Sequence, residues 1–388
     1  MINANVIARN DSDEAISIYS VKMTKKRVAV GMSGGVDSSV AALLLLEQGY
    51  DVFGVTLRVL PPLANNGANP YDPEKDESVL RARAVAKRLG IEHYVAVCDD
   101  AFTERVLKRC HGDFANARTP NPCCYCNRYV KFGWMMDFAM AHGADFLSTG
   151  HYVNVKEVGG VRRLFRGRDV AKDQSYFLFG VPDEALARVM TPLGGMEKPE
   201  VRALASKHGF ENASASDSQD ICFDIYGDDY TDFLQEKFGA MTRPGNFVTA
   251  EGKILRSHEG YHRYTVGQRK GLGVALGVPA FVQSVDPATG NVLVTADKSA
   301  VSATEVRIEN CVWHGINSAT GAAYSVGDTF ECKGMVRYRQ RAVKCIVKIL
   351  DDGCAMAQFE QPLFAVTPGQ CAVFYDGDMV IGGGWIRK

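Results

Sequence analysis

The chain has 388 residues, enough for two or three domains with real cores, and at 46% hydrophobic and 23% charged it reads as globular. With 44 basic against 45 acidic residues there is no global field to attract a polyanion, so a nucleic-acid partner must be held by local patches. Average glycine and proline usage excludes a collagenous or low-complexity chain, and the longest apolar run, Val40 to Leu46, is far too short to cross a bilayer.

Residues 1–24 lack periodicity and carry Asp11, Asp13 and Glu14, which predicts a flexible extension rather than a signal or transit peptide. From Lys25 the pattern changes. RVAVGM reads as a buried strand, a Gly/Ser turn follows, and VAALLLLEQG reads as a helix stopped at Gly49. DVFGVTL is a second strand, SVLRARAVAKRLG a helix ending at Gly90, and EHYVAV a third strand. A helix over Lys131 to His142 and a strand ADFLSTG continue the alternation. The fold class this predicts is α/β, with a parallel-sheet nucleotide domain over 25–222 that has helices on both faces. Residues 223–292 form a small central α+β unit with the helix YTDFLQEKF. Residues 293–388 form an antiparallel β-barrel, in which GMVRYRQRAVKCIVKIL is read as continuous strand.

The segment from Gly31 to Ser39, GMSGGVDSS, lies between a strand and a helix, where backbone N–H groups and the helix dipole converge on an anion. Gly34 and Gly35 let phosphate oxygens approach the backbone, while Ser33, Ser38 and Ser39 add hydroxyl donors. Asp37 suits a magnesium ion on pyrophosphate, and the missing Gly-Lys-Ser/Thr excludes a Walker A loop. The segment resembles the PP-loop ATP pyrophosphatases, which split ATP between the α and β phosphates and pass AMP to an acceptor oxygen. Leu57 and Gly150 end strands on the same sheet edge, where an adenine nucleotide lies in such folds.

Eleven cysteines are an odd number at low density, which predicts free thiols in a reducing cytoplasm. Cys98, Cys311, Cys332, Cys345, Cys354 and Cys371 read as small buried apolar residues. Cys123, Cys124 and Cys126 instead follow the stiff turn Pro120 to Pro122, before a helix whose dipole favours a thiolate. Cys222 in SDSQDICFD is a second candidate. A zinc site at Cys123 and Cys126 needs two more ligands, and no second C-x-x-C or H-x-H follows.

Taken together, GMSGGVDSS, VFGVTL, RAVAKRLGIEHYV, TPNPCCYCN, STGHY, KDQSYFL, DSQDICF, YTVGQRKGLG, VRYRQ and TPGQCAVFYDGDMVIGGG resemble the tRNA-specific 2-thiouridylases over roughly residues 25–386. That resemblance implies an ATP site of Gly31, Met32, Ser33, Gly34, Gly35, Val36, Asp37, Ser38, Leu57 and Gly150. It implies Cys126 as nucleophile and Cys222 as the carrier or resolver of a persulfide, with a Cys126–Cys222 disulfide after turnover. Asn121, Pro122 and Cys123 would face the target base. His151, Lys172, Asp173, Gln174, Arg337, Tyr338, Gln340 and Gln370 match tRNA-contacting positions. Cys123 stands where the family often has aspartate, so Cys123, Cys126 and Cys222 are also three thiols able to hold a 4Fe–4S cluster.

Two basic stretches read independently as RNA contacts. VRRLFRGRDVAK holds five basic residues and one acid, and Lys333 to Lys348 holds six and none. On a strand, Arg337, Arg339 and Arg341 would share one face. The expected activity is ATP-dependent sulfur transfer to the 2-carbonyl of a tRNA wobble uridine, with ATP, magnesium, tRNA and a persulfide sulfur-donor protein. The alternatives are a PP-loop amide-forming ligase of the GMP or NAD synthetase kind, which needs ammonia delivery, and a non-catalytic RNA-binding module.

Overall fold

A computed structural model describes residues 25–59, 76–214, 230–317, 321–351 and 353–387. Cys222, its SDSQDICF segment and residues 1–24 lie outside these. The first layer is a parallel sheet in which β1 (Arg27–Gly31) is flanked by β2 (Asp51–Arg58) and β4 (Phe146–Thr149), with β3 (Glu92–Val97) beyond β2. Strand alternation sends Ala29 to one core and Val28 and Val30 to another. Helices α1 (Val36–Glu47) and α2 (Glu77–Leu89) cover the second face. Helices α3 (residues 99–115) and α4 (residues 122–141) cover the first.

Local chemistry sets the ends. Asp76 caps α2 by accepting from the Ser78 and Val79 N–H groups, and Gly90 closes it with φ 68°. Helix α4 starts at Pro122 rather than Lys131, because Asn121 caps it by accepting from Cys124 N and Pro122 fits the first helical position. Cys123, Cys124 and Cys126 therefore lie inside the helix, where a proline- and cysteine-rich turn shows no apolar period. Helix α4 passes through a π-helical stretch, Cys126–Trp134.

After β4 the chain forms the hairpin β5 (Val153–Val158) and β6 (Val161–Arg166), the short β7 (Val189–Met190) that edges the parallel sheet, and helix α5 (Lys198–Lys207). Helix α6 (Tyr230–Phe238) opens the central unit. That unit has a four-stranded sheet of β8 (Gly245–Val248), β9 (Ile254–His258), β10 (Phe281–Val285) and β11 (Val292–Thr295), around Phe247, Tyr261, Val282, Val292 and Val294.

The C-terminal barrel has six antiparallel strands: β12 (Ser302–Trp313), β13 (Thr329–Met335), β14 (Val343–Ile349), β15 (Ala355–Phe364), β16 (Cys371–Asp376) and β17 (Met379–Ile386). Pairing of β12 with β17 closes it. The β5–β6 hairpin joins this sheet through Met379 and Phe165. One expectation fails here: Arg337, Arg339 and Arg341 are not on a strand. They lie in the turn joining β13 to β14, where Arg339 takes φ 63° and the side-chain Oε1 of Gln340 accepts from Val336 N at 3.2 Å. Period-two spacing cannot distinguish a strand from a short loop between two strands of the same composition. Among the described residues, no helix is long and apolar enough to cross a membrane.

Candidate active site

The turn between β1 and α1 is built for close backbone approach. Gly34 has φ 75°, and a Cβ there would sit 2.5 Å from Ser78 O. Ser38 and Ser39 both donate to Gly35 O at 3.0 Å, and Asn212, nearly fully buried, donates to Gly34 O at 2.9 Å and Ser39 Oγ at 3.0 Å. Asn212 was not legible in sequence, because an isolated asparagine carries no spacing signal. On the other side, Thr56 donates to Met32 O at 2.7 Å. Its one proton is thus used, so at 2.8 Å it accepts from His93 Nε2–H, which fixes the His93 tautomer. Burial first, and the Arg83 charge second, push the His93 pKa down to about 4, so the ring is neutral.

Asp37 opens α1 with Gly35 as its cap residue. Lys198 Nζ, at the start of α5, bonds both Asp37 oxygens at 2.8 Å, and the Tyr152 hydroxyl donates to Oδ1 at 2.7 Å. The Lys198 side chain is only 9% exposed. Sequence reasoning missed it, since a lysine near a helix start ordinarily points to water. Gly150 is also explained by the protein itself: a Cβ there would lie 2.8 Å from Ser38 N and 2.9 Å from Asp37 C. The glycine lets β4's end dock on the α1 N-terminus, and Leu57 packs half-buried under the same edge.

The cysteine helix meets the barrel. Cys126 is buried and Cys123 half-buried, one turn apart. Cys124 lies against Cys371 of β16; burial and that second thiol push its pKa well up, so it is an inert thiol. Cys371 is thus part of a thiol pair, as are Cys332 and Cys345, whose sulfurs lie 3.6 Å apart across β13 and β14. Tyr125 stacks on Trp385 at 5.1 Å, and Gln370 donates to Thr119 O and Pro120 O at 3.0 and 3.1 Å. Gln370 therefore holds the TPNP turn with its own donor group.

The remaining sequence-proposed contacts divide by how engaged they are. Asp173 accepts from Gly167 N, Ser175 N, Ser175 Oγ and Arg166 Nη1 within 3.1 Å, so its carboxylate is committed internally. Gln174 accepts from Tyr152 N at 2.9 Å. His151 is buried, hydrogen-bonded to Thr149 Oγ1 at 2.7 Å, and burial followed by the Lys131 charge pushes its pKa far down, leaving it neutral. Arg337 is exposed, while the Tyr338 ring packs 4.4 Å from Phe177, beside Tyr176 and the cysteine helix. Among the described residues no group of three metal-ligating side chains converges.

A family model described as "tRNA methyl transferase HUP domain" matches residues 26–225, a PRC-barrel model matches 231–296 and an "Aminomethyltransferase beta-barrel domain" model matches 303–386. Curated proteins named "tRNA-specific 2-thiouridylase MnmA" align end to end. Those from Acetivibrio thermocellus and Carboxydothermus hydrogenoformans are each 40% identical, covering 94% of this chain and 100% and 98% of their own lengths. The one from Geobacter metallireducens is 42% identical over 93% of this chain and 97% of its own. The chain belongs to the MnmA family. The SGGVDS turn follows β1 at the carboxyl edge of the parallel sheet, and the TPNPCCYC segment forms the capped start of α4.

Proposed function

We propose that this chain is a tRNA-uridine 2-sulfurtransferase that uses ATP to thiolate the wobble uridine. The observation that carries this reading is end-to-end identity of about 40% with 2-thiouridylases, joined to an SGGVDS turn and a capped helix bearing Cys123 and Cys126. The backbone of Gly31 to Ser38 receives the ATP phosphates, with Leu57 and Gly150 beside the nucleotide. Asp37, partly exposed at the α1 N-terminus, has the donor chemistry for magnesium, which supplies charge neutralisation of pyrophosphate. The uridine O2 attacks the α-phosphorus and pyrophosphate leaves. A persulfide on Cys222, loaded by a sulfur-donor protein, then attacks C2, and AMP leaves with the former carbonyl oxygen. The Cys126 thiolate attacks the Cys222 sulfur, which frees the 2-thiouridine and leaves a Cys126–Cys222 disulfide for an external thiol to reduce.

Asn121, Pro122 and Cys123 line the base position in this reading. His151, Lys172, Asp173, Gln174, Arg337, Tyr338, Gln340 and Gln370 form its tRNA side, Asp173 and Gln370 by shaping backbone. Of the three thiols considered for an iron–sulfur cluster, Cys222 lies outside the described residues, and no step is assigned to a cluster. Residues 25–222, 223–292 and 293–388 serve as catalytic, central and barrel domains of a cytoplasmic enzyme.

The test is an unmodified tRNA transcript with ATP, magnesium and a persulfide donor. AMP, pyrophosphate and 2-thiouridine are expected in equal amounts; in Cys126→Ser free 2-thiouridine disappears, while AMP and pyrophosphate stop at about one equivalent per enzyme because the tRNA stays bonded through sulfur to Cys222. Release of ADP, or thiolation at another position, overturns the reading.

A further inference from the structure

Arg105 and Arg109 of α3 and Arg128 of α4 converge on one ring. Their guanidinium carbons lie 6.0, 4.7 and 5.1 Å from the Tyr129 centroid. Arg109 also lies 5.6 Å from the Tyr125 ring and Arg128 5.8 Å from the Trp385 ring. Nearby cations are all neutralised: Lys108 by Glu104, and Arg118 and Arg387 by Glu309 at 3.0 and 2.9 Å. Among the described residues, the three clustered guanidinium groups have no carboxylate within ion-pair distance. Arg128 Nη1 is buried with no acceptor at all.

Asp113, one turn beyond Arg109, does not fill the gap. It accepts from the Tyr125 hydroxyl at 3.0 Å, faces Arg118 at 3.9 Å and forms no ion pair with Arg109; burial raises its pKa to about 6, against the lowering by the Tyr125 hydrogen bond and the Arg118 and Arg109 charges. Aromatic faces hold the three cations side by side with their charges mutually repelling, and leave the buried Arg128 Nη1 without an acceptor. A buried donor without an acceptor is destabilising. The missing component is an oxyanion that accepts several N–H bonds at once, which is phosphate chemistry.

The position narrows the source. Tyr129 lies three residues beyond Cys126 on α4, less than one turn away, so the cluster borders the cysteine-bearing start of the helix. We infer that Arg105, Arg109 and Arg128 cradle a backbone phosphate of the tRNA, adjacent to the nucleotide whose base reaches Cys126. This rests on the thiolation reading above. The cluster fixes the register of the strand rather than its sequence, and keeps a nucleotide from sliding past the cysteine helix.

The experiment is equilibrium binding of an unmodified wobble-uridine tRNA transcript to the full chain across 50–200 mM salt. The double variant Arg105→Gln/Arg109→Gln should lower the slope of log K against log salt by about one to two units and weaken binding roughly tenfold, with ATP affinity unchanged. Arg105→Lys/Arg109→Lys, which keeps the charge, should restore the slope and shows that the change is electrostatic rather than a folding defect. Equal slopes in wild type and the glutamine variant overturn the inference. So does a glutamine variant that binds tRNA normally yet loses turnover only with a persulfide-carrying protein, keeping it with inorganic sulfide, because the patch then receives an acidic protein. Wild-type protein with no salt-dependent tRNA binding would sink the thiolation reading and this inference with it.

Discussion

Lys198 carries the least conspicuous role at the nucleotide turn. Its buried ammonium is paired with both Asp37 oxygens, and the Tyr152 hydroxyl adds a further donor to Oδ1. Replacing it by methionine leaves a partly buried carboxylate without its partner. Since Asp37 keeps about a third of its exposure, the expected loss is about 1–3 kcal/mol, below the range for fully buried pairs. Lys198→Met should also raise the ATP concentration needed for half-maximal pyrophosphate release while leaving tRNA affinity intact. Denaturant unfolding and a pyrophosphate assay check both halves; an unchanged ATP requirement would confine Lys198 to stability.

Two buried residues titrate with opposite signs in one pH window. His93 has its folded pKa lowered to about 4, so the unfolded chain binds the extra proton between pH 6.5 and 4, and stability falls as pH drops through that range. Asp113 has its folded pKa raised to about 6, so the folded chain binds the extra proton between pH 6 and 4, and stability rises as pH drops. The wild-type pH profile is therefore flatter than either group alone would give. Asp113→Asn should remove the stabilising arm, leaving a loss of about 1–2 kcal/mol from His93 between pH 6.5 and 4 that His93→Gln removes, while buried His151 continues to contribute with the same sign. Chemical denaturation of the two single variants and the double at both pH values measures it, and parallel profiles would show that neither group dominates.

At the scale of elements, the parts with a strong period were legible: VAALLLLEQG as α1, EHYVAV as β3, and the helix ending at Gly90. Asp76 and Gly90 mark the α2 ends in the sequence itself. The start of α4 was not, because Asn121 and Pro122 read as a turn until their roles as cap and first helical residue are seen. Strands β8 to β11 are four or five residues each between glycine-rich turns, too short for alternation to register. The SGGVDS turn was recognisable, yet its clamps Asn212 and Lys198 come from distant segments with no local pattern. Gly150 shows how such a contact is tested. A Cβ there meets only α1 backbone and the Asp37 Cβ, none of which is a flexible side-chain end, so Gly150→Ala must displace the α1 N-terminus. ATP binding should fall more than tenfold while tRNA affinity stays within about twofold, as calorimetric titration of each ligand would reveal.

Across the whole molecule, the parallel-sheet domain and the barrel share one hydrophobic core. The core that contains Ala29, Phe53 and Leu147 of the parallel sheet continues without a break through Tyr125 and Tyr176 to Cys371, Val373, Tyr375 and Trp385 of the barrel. Polar contacts cross the same boundary: Tyr176 donates to Cys371 O at 2.9 Å, and His314 bonds Asp183 at 2.7 Å. The sheet of the central unit encloses its own core around Phe247 and Val282, while Leu234 of α6 and Met241 join the shared core. Trp385 is 4% exposed, and it stacks on Tyr125, one residue before Cys126. Trp385→Ala removes about 3–5 kcal/mol of packing at the junction. Because the junction is core rather than a hinge, that loss should lower the melting of the parallel-sheet domain and the barrel together, and depress turnover by loosening α4, with the separate core of the central sheet least affected. Differential scanning calorimetry with hydrogen exchange resolves this: joint loss of protection in β1, β4 and β16 is expected, whereas loss confined to β16 and β17 would mean that the two domains fold independently.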